Sequence, residues 1–175
     1  YLANELREEQ GLPFEKEDMV LCVGAGGGLN VVAKALLEPE DEVVALAPYF
    51  VEYGFYVQNH GGVLTVAKTR QEDFLPDLDA LEAVMTQRTR AIIVNSPNNP
   101  TGVVYSQEVL DELGTWLRTQ EQHFGHPIYL IADEPYRKLL FDEVVNGSVL
   151  KAHPHSILIT SHSKDLGLAG ERIGY

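Results

Sequence analysis

Apolar residues in this chain fall in short unbroken runs, and between the runs they recur at three- and four-residue spacing. Met19–Val23, Glu42–Ala47, Val63–Ala67, Ala91–Val94, Ile128–Ala132 and Ile157–Thr160 are rich in β-branched residues and too short for helices. Each reads as a strand with little or no polar face. Leu29–Leu37, Tyr49–Gln58, a segment from Pro76-Asp77 to about Met85, and one from Ser106 to about Gln122 carry helical periodicity. Asp77 and Ser106 stand where N-caps belong, and Pro39 closes the first of these helices. Leu2 and Leu6 place a further helical pattern at the start. Gly24–Gly28, Gly61-Gly62 and Ser96–Gly102 read as turns and loops. Strands alternating with helices predict a three-layer α/β/α sandwich around a mainly parallel sheet. In such sheets ligands collect at the carboxyl ends of strands. Gly24–Gly28, Asn95–Gly102, Asp133 and Ser161–Lys164 each follow a predicted strand, so they are expected to share one site.

Composition narrows the partners. The chain of 175 residues, 45% apolar and 22% charged, suits one globular core. Thirteen Lys and Arg face 26 Asp and Glu, for a net charge of -13. That excludes a nucleic-acid partner, which needs a basic surface. One cysteine, Cys22, rules out an internal disulfide and fits a reducing compartment, hence the cytoplasm. Its apolar surroundings predict a buried, inert thiol. No apolar run reaches membrane-span length and no signal-peptide pattern opens the chain, so no membrane partner is expected. The chain starts at Tyr1, inside a helical pattern, and stops at Tyr175 directly after a motif. It reads as a single domain, residues 1–175, of something longer.

The strand-end motifs carry the chemistry. Gly24-Ala25-Gly26-Gly27-Gly28 lets backbone N–H groups reach an anion at a helix N-terminus, or is a plain turn. The dinucleotide fingerprint fails, because Leu29 stands where its last glycine belongs. Pro48-Tyr49-Phe50 can stack an aromatic on a planar ring or bury it in the core. Asn95-Ser96-Pro97-Asn98-Asn99-Pro100-Thr101-Gly102 is a rigid loop that can hold an amide side chain in one pose. Asp133 closes an apolar strand, where a carboxylate needs a partner such as a protonated pyridine nitrogen, or acts as a helix cap. Tyr136 lies three residues on. Lys164 follows a strand and the hydroxyls Ser161 and Ser163; desolvation there would free its lone pair as a nucleophile. Arg172 offers a fork suited to phosphate, or a surface ion pair with Glu171. An amine beside phosphate ligands is what pyridoxal 5'-phosphate requires. The six histidines show no metal-ligand spacing, so no metal is expected, and His162 reads as structural.

In this order the motifs resemble the class I/II aminotransferases, the fold-type-I pyridoxal-phosphate enzymes. The likeness runs from about Pro13 to Tyr175 and is nearest the aspartate-aminotransferase branch. It implies that Lys164 forms the Schiff base and shuttles the substrate proton, that Asp133 binds the pyridine nitrogen, and that Asn99 and Tyr136 bind the ring hydroxyl oxygen. It implies that Phe50 stacks on the ring, and that Ala25 and Gly26 amides with Ser161, Ser163 and Arg172 hold the phosphate. The substrates implied are an L-amino acid and a 2-oxo acid, and the parent is expected to be a homodimer. The family's N-terminal arm and C-terminal small domain, with its carboxylate-clamping arginine, have no match here, so low or no activity is expected of this domain alone. A pyridoxal-phosphate C–S lyase or aminocyclopropanecarboxylate-synthase-like enzyme fits the same residues. An aminotransferase-like domain of a transcriptional regulator is a third reading.

Overall fold

A computed structural model describes residues 1–175. Its elements are α1 (Leu2–Gln10), β1 (Cys22–Val23), α2 (Gly24–Leu36), β2 (Glu42–Ala47), α3 (Tyr53–Gln58), β3 (Val63–Lys68), α4 (Leu78–Val84), β4 (Thr89–Asn95), α5 (Gln107–Phe124), β5 (Tyr129–Asp133), α6 (Val149–Ala152), β6 (Ser156–Ile159), α7 (His162–Asp165) and β7 (Ile173–Gly174). Two local signals read from sequence set helix starts. Asp77 Oδ1 accepts from Ala80 N at 3.1 Å, and Ser106 Oγ accepts from Val109 N at 3.4 Å.

Five strands form a parallel sheet in the order β3-β2-β4-β5-β6. Alternate residues of each central strand feed opposite faces. Val44, Leu46, Ile92, Val94, Leu130 and Ala132 pack against α4, α5 and α6. Val43, Ala45, Ala91, Ile93 and Ile131 pack against α2 and α3. Both faces are covered, which is why these strands read as apolar runs rather than alternating ones. The three-layer sandwich follows as expected. No helix is long and apolar enough to cross a membrane.

Three expectations are corrected. Met19–Val23 is not a buried strand of the main sheet: only Cys22–Val23 pairs, antiparallel to β7, and β7 in turn flanks the end of β6 through Thr160 and Tyr175. No layer covers this ribbon from outside, so Val20, Leu21 and Val23 are exposed, and Cys22 is half-buried. Burial pushes the Cys22 thiol up all the same. The glycines from Gly24 form the first turns of α2 rather than a separate turn. The helix expected from Tyr49 begins only at Tyr53, because residues 49–52 carry the chain around the end of β2.

Candidate active site

The chain runs outward from β2 to β3 and then returns to place β4 on the other side of β2. This reversal opens a crevice at the carboxyl ends of the strands. Ala25, Gly26, Phe50, Asn99, Asp133, Tyr136, Ser161, Ser163, Lys164 and Arg172 all line one cleft there, about 320 Å3 in volume. Residues spread over some 150 positions of sequence are thus brought together by the sheet order.

Asp133 ends β5 beside Asn95 of β4. Its side chain is buried, and Tyr53 Oη donates to its Oδ2 at 2.7 Å. Oδ1 is buried with no hydrogen-bond partner. A buried orphan acceptor is costly unless something donates to it. Burial pushes the carboxyl up to about 6, against the lowering effect of the Tyr53 bond. Burial, and then the Asp133 charge, raise the Tyr53 hydroxyl far above its ordinary range. Asp133 is therefore not a helix cap: no helix begins there, and its free oxygen belongs to the cleft.

The asparagine loop is held by its own amides. Asn95 Nδ2 donates to Asp133 O at 2.7 Å, and Asn95 Oδ1 accepts from Asn99 N at 2.6 Å. Asn98 Oδ1 accepts from Thr101 N at 3.0 Å and from its hydroxyl at 2.8 Å. Two asparagines thus build the loop, and the third, Asn99, presents its side chain to the cleft. Phe50 stands edge-on to Tyr53, ring centroids 5.7 Å apart, so its ring helps hold the Asp133 partner in place.

At the other end the α2 N-terminus meets Arg172. Gly24 has φ +67°, and a Cβ there would lie 2.6 Å from Arg172 Nη2. A Cβ at Gly26 would lie 2.8 Å from Tyr56 Oη. The positive φ at Gly24 favours glycine, while at both positions the nearest atom is the movable end of a side chain. Gly24 N donates to Arg172 O at 2.9 Å. A guanidinium over the positive end of a helix dipole makes an anion cradle. Ser161 caps α7 by position but makes no side-chain capping bond, leaving its hydroxyl to the cleft.

Lys164 Nζ lies 5.9 Å from the Tyr136 ring centroid. The expected desolvation is not met: Lys164 is exposed, as are Leu166 and Leu168 after it. The segment packs against β7 and the turn that precedes it, which leaves these side chains in contact with solvent. His162 Nδ1 lies 3.1 Å from Asp165 Oδ2, a local contact within α7. Tyr53, Tyr56 and Glu52 were missed by sequence reading, and Asn95 had no role assigned. Nothing local pairs Tyr53 with a residue 80 positions away.

The donor set fits a planar pyridine cofactor bearing phosphate. The orphan Oδ1 of Asp133 suits a protonated ring nitrogen, and the glycine-lined helix end with Arg172 suits a phosphate. A model described as aminotransferase class I and II matches residues 2–175. The probable aspartate/prephenate aminotransferase of Thermus aquaticus is 38% identical over 175 residues, covering 99% of this chain and 44% of its own. Aspartate aminotransferase of Geobacillus stearothermophilus is 34% identical, with coverage of 99% and 44%. An amino transferase from Eubacterium rectale superposes with a TM-score of 0.97 at 38% identity, covering 99% of this chain and 44% of that one. Thermus thermophilus aspartate aminotransferase with maleate gives 0.89 at 36% identity, with coverage of 99% and 44%. The chain therefore spans less than half the length of these relatives. With the family model matched along almost its whole length, the chain belongs to the class I and II aminotransferases.

Proposed function

We propose that residues 1–175 form the cofactor-binding large domain of a pyridoxal-phosphate-dependent aminotransferase that moves an amino group between an L-amino acid and a 2-oxo acid. The observation that carries this reading is the partnerless, buried Asp133 Oδ1 in a cleft that also holds Lys164. When bound, the cofactor supplies an electrophilic carbonyl carbon and a ring that withdraws electrons from the substrate α-carbon. Asp133, as the carboxylate, holds the proton on the ring nitrogen, and Tyr53 keeps its other oxygen fixed. Asn99 and Tyr136 orient the ring through its hydroxyl, and Phe50 covers one face. Ala25 and Gly26 amides, Ser161, Ser163 and Arg172 bind the phosphate. Lys164 Nζ would hold the cofactor at its carbonyl carbon and would move the proton at the substrate α-carbon.

Lys164 is exposed, so its desolvation has to come from what covers the cleft: the bound ligand and the remainder of a longer protein. The clamp for the substrate carboxylate is assigned to that remainder, and positioning supplies much of the rate. The names of the relatives favour transfer over the C–S lyase and regulator readings. A homodimeric parent and a cytoplasmic location complete the proposal, resting on the family resemblance and on the single free cysteine.

The test is titration of the chain with pyridoxal phosphate, followed by borohydride reduction and peptide mapping. A visible band and a reduced adduct on Lys164, both lost in Lys164→Ala, are expected. A folded chain whose adduct maps elsewhere, or survives in Lys164→Ala, refutes the assignment.

A further inference from the structure

We propose that Glu121, His153 and His155 form a binding site for a divalent transition-metal ion of the zinc type, at the amino edge of the sheet and opposite the cofactor cleft. Glu121 lies in the last turn of α5, His153 follows α6, and His155 precedes β6. One ligand atom from each falls within 4.8 Å of the others. Glu121 Oε1 is 2.7 Å from His155 Nδ1 and 3.3 Å from His153 Nε2. Zinc bonds of about 2.05 Å put tetrahedral ligands about 3.3 Å apart. The Glu121–His153 separation matches that spacing, the Glu121–His155 separation is about 0.6 Å shorter, and the ring nitrogens lie within 4.8 Å of one another, so a modest side-chain adjustment brings the three to metal-ligand spacing. Two imidazoles and a carboxylate are a zinc donor set that leaves a fourth position for water. Glu121 and His155 line a surface cleft together with Arg118, Gln122, His126 and Pro127, which gives the site access to solvent.

The ligands are held before any ion arrives. A Cβ at Gly114 would collide with the carbonyl oxygen of Ala152, so glycine lets α5 seat directly on the backbone of α6. Glu121 is two helical turns further along the same face of α5. Ile128 N donates to Glu121 Oε1 at 2.9 Å, a backbone contact of the kind that orients metal ligands. His153 is wholly buried, its ring centroid 5.7 Å from that of His155. The neighbouring cation, Arg118, lines the same cleft but has its donors engaged elsewhere: its Nη1 donates to Ala152 O at 2.9 Å and its Nη2 to Thr115 Oγ1 at 2.8 Å. The net charge of -13 favours cations at the surface generally.

A metal ion needs an unprotonated ligating nitrogen from each ring, here His153 Nε2 and His155 Nδ1, the atoms that face Glu121 Oε1. Ile128 O, 3.1 Å from His153 Nε2, loses that donor. His153 Nδ1 has no partner now and gains none, so the exchange carries a cost. Affinity is therefore expected on the order of micromolar, weaker than that of a thiolate site. Sequence spacing hid the site, because 34 residues separate Glu121 from His155.

The experiment is calorimetric titration of the tag-free, chelator-treated chain with Zn2+ near neutral pH, paralleled by Co2+ absorption. One equivalent of Zn2+, tetrahedral-type visible bands with Co2+, and a raised unfolding midpoint are expected. His155 is half-exposed, so His155→Ala is expected to fold. It and Glu121→Gln should each weaken binding by at least about tenfold, the lower end of what losing even a supporting group costs. Lys164→Ala and His123→Ala should bind as the parent does, which separates this site from the cofactor cleft and from surface histidines. Absence of binding, binding that survives both ligand variants, or binding lost in His123→Ala overturns the proposal and leaves the cluster as a hydrogen-bonded structural group.

Discussion

Replacing Tyr53 by Phe removes one oxygen from the only side-chain hydrogen bond that Asp133 makes. Tyr53 is 1% exposed, and Phe keeps its ring packing, so no sizeable cavity opens. The Asp133 carboxyl is already raised from 3.8 to about 6 by burial. A raised carboxyl makes the folded state bind its proton more tightly than the unfolded state does. Stability is therefore lost as pH rises through about 4 to about 6, by roughly 3 kcal/mol for this shift. Tyr53 opposes that loss, since a hydrogen bond to a charged acceptor contributes about 1.5–3 kcal/mol and one to a neutral acid about 0.5–1.5. The difference is about one pKa unit, so the variant carboxyl should titrate near about 7. The stability gap between the proteins should be about 1 kcal/mol at about pH 4 and widen by about 1.4 kcal/mol, with the widening falling between about pH 5 and about pH 8. Urea unfolding of both proteins across that range measures it. Glu134, raised by burial to about 7, titrates in both and largely cancels in the difference. A gap that stays constant over the whole range refutes the bond between Tyr53 and the ionised Asp133.

Two further substitutions test the scaffold. Gly114→Ala lies inside α5, where propensity alone promises about 1 kcal/mol of added stability; its collision with the Ala152 carbonyl should instead cost about 1–3 kcal/mol net by denaturant unfolding. A stabilised variant would show that α5 and α6 are not in backbone contact. Asn95→Ala should cost about 2–4 kcal/mol, because it strands Asp133 O and Asn99 N together. It should also weaken pyridoxal phosphate binding in an absorbance titration, and unchanged affinity would remove Asn95 as the tie between loop and strand.

Much of the fold was legible because its causes are local or periodic. Val43–Leu46, Ala91–Val94 and Leu130–Ala132 are apolar without alternation, since helices cover both faces of a parallel sheet. Asp77 and Ser106 cap the helices they precede through bonds to residues three positions on. The cleft residues were legible because strand ends are where such sheets place ligands, and glycine, asparagine, aspartate and lysine at those ends have few other reasons to recur. What the sequence could not disclose depends on which distant surfaces meet. The pairing of β1 with β7, the Tyr53 bond to Asp133 and the meeting of Glu121 with His153 and His155 each join residues far apart in the chain. Periodicity says which side of an element is buried but not against what. Lys164 shows the same limit: its residue type and place after a strand named it, but its exposure depends on how α7 is packed. Composition and pattern thus determined the layers and which side chains gather at the strand-end cleft. Only the tertiary structure decided their hydrogen-bond partners and their contact with water, because burial and partnership are properties of packed surfaces rather than of residues in order.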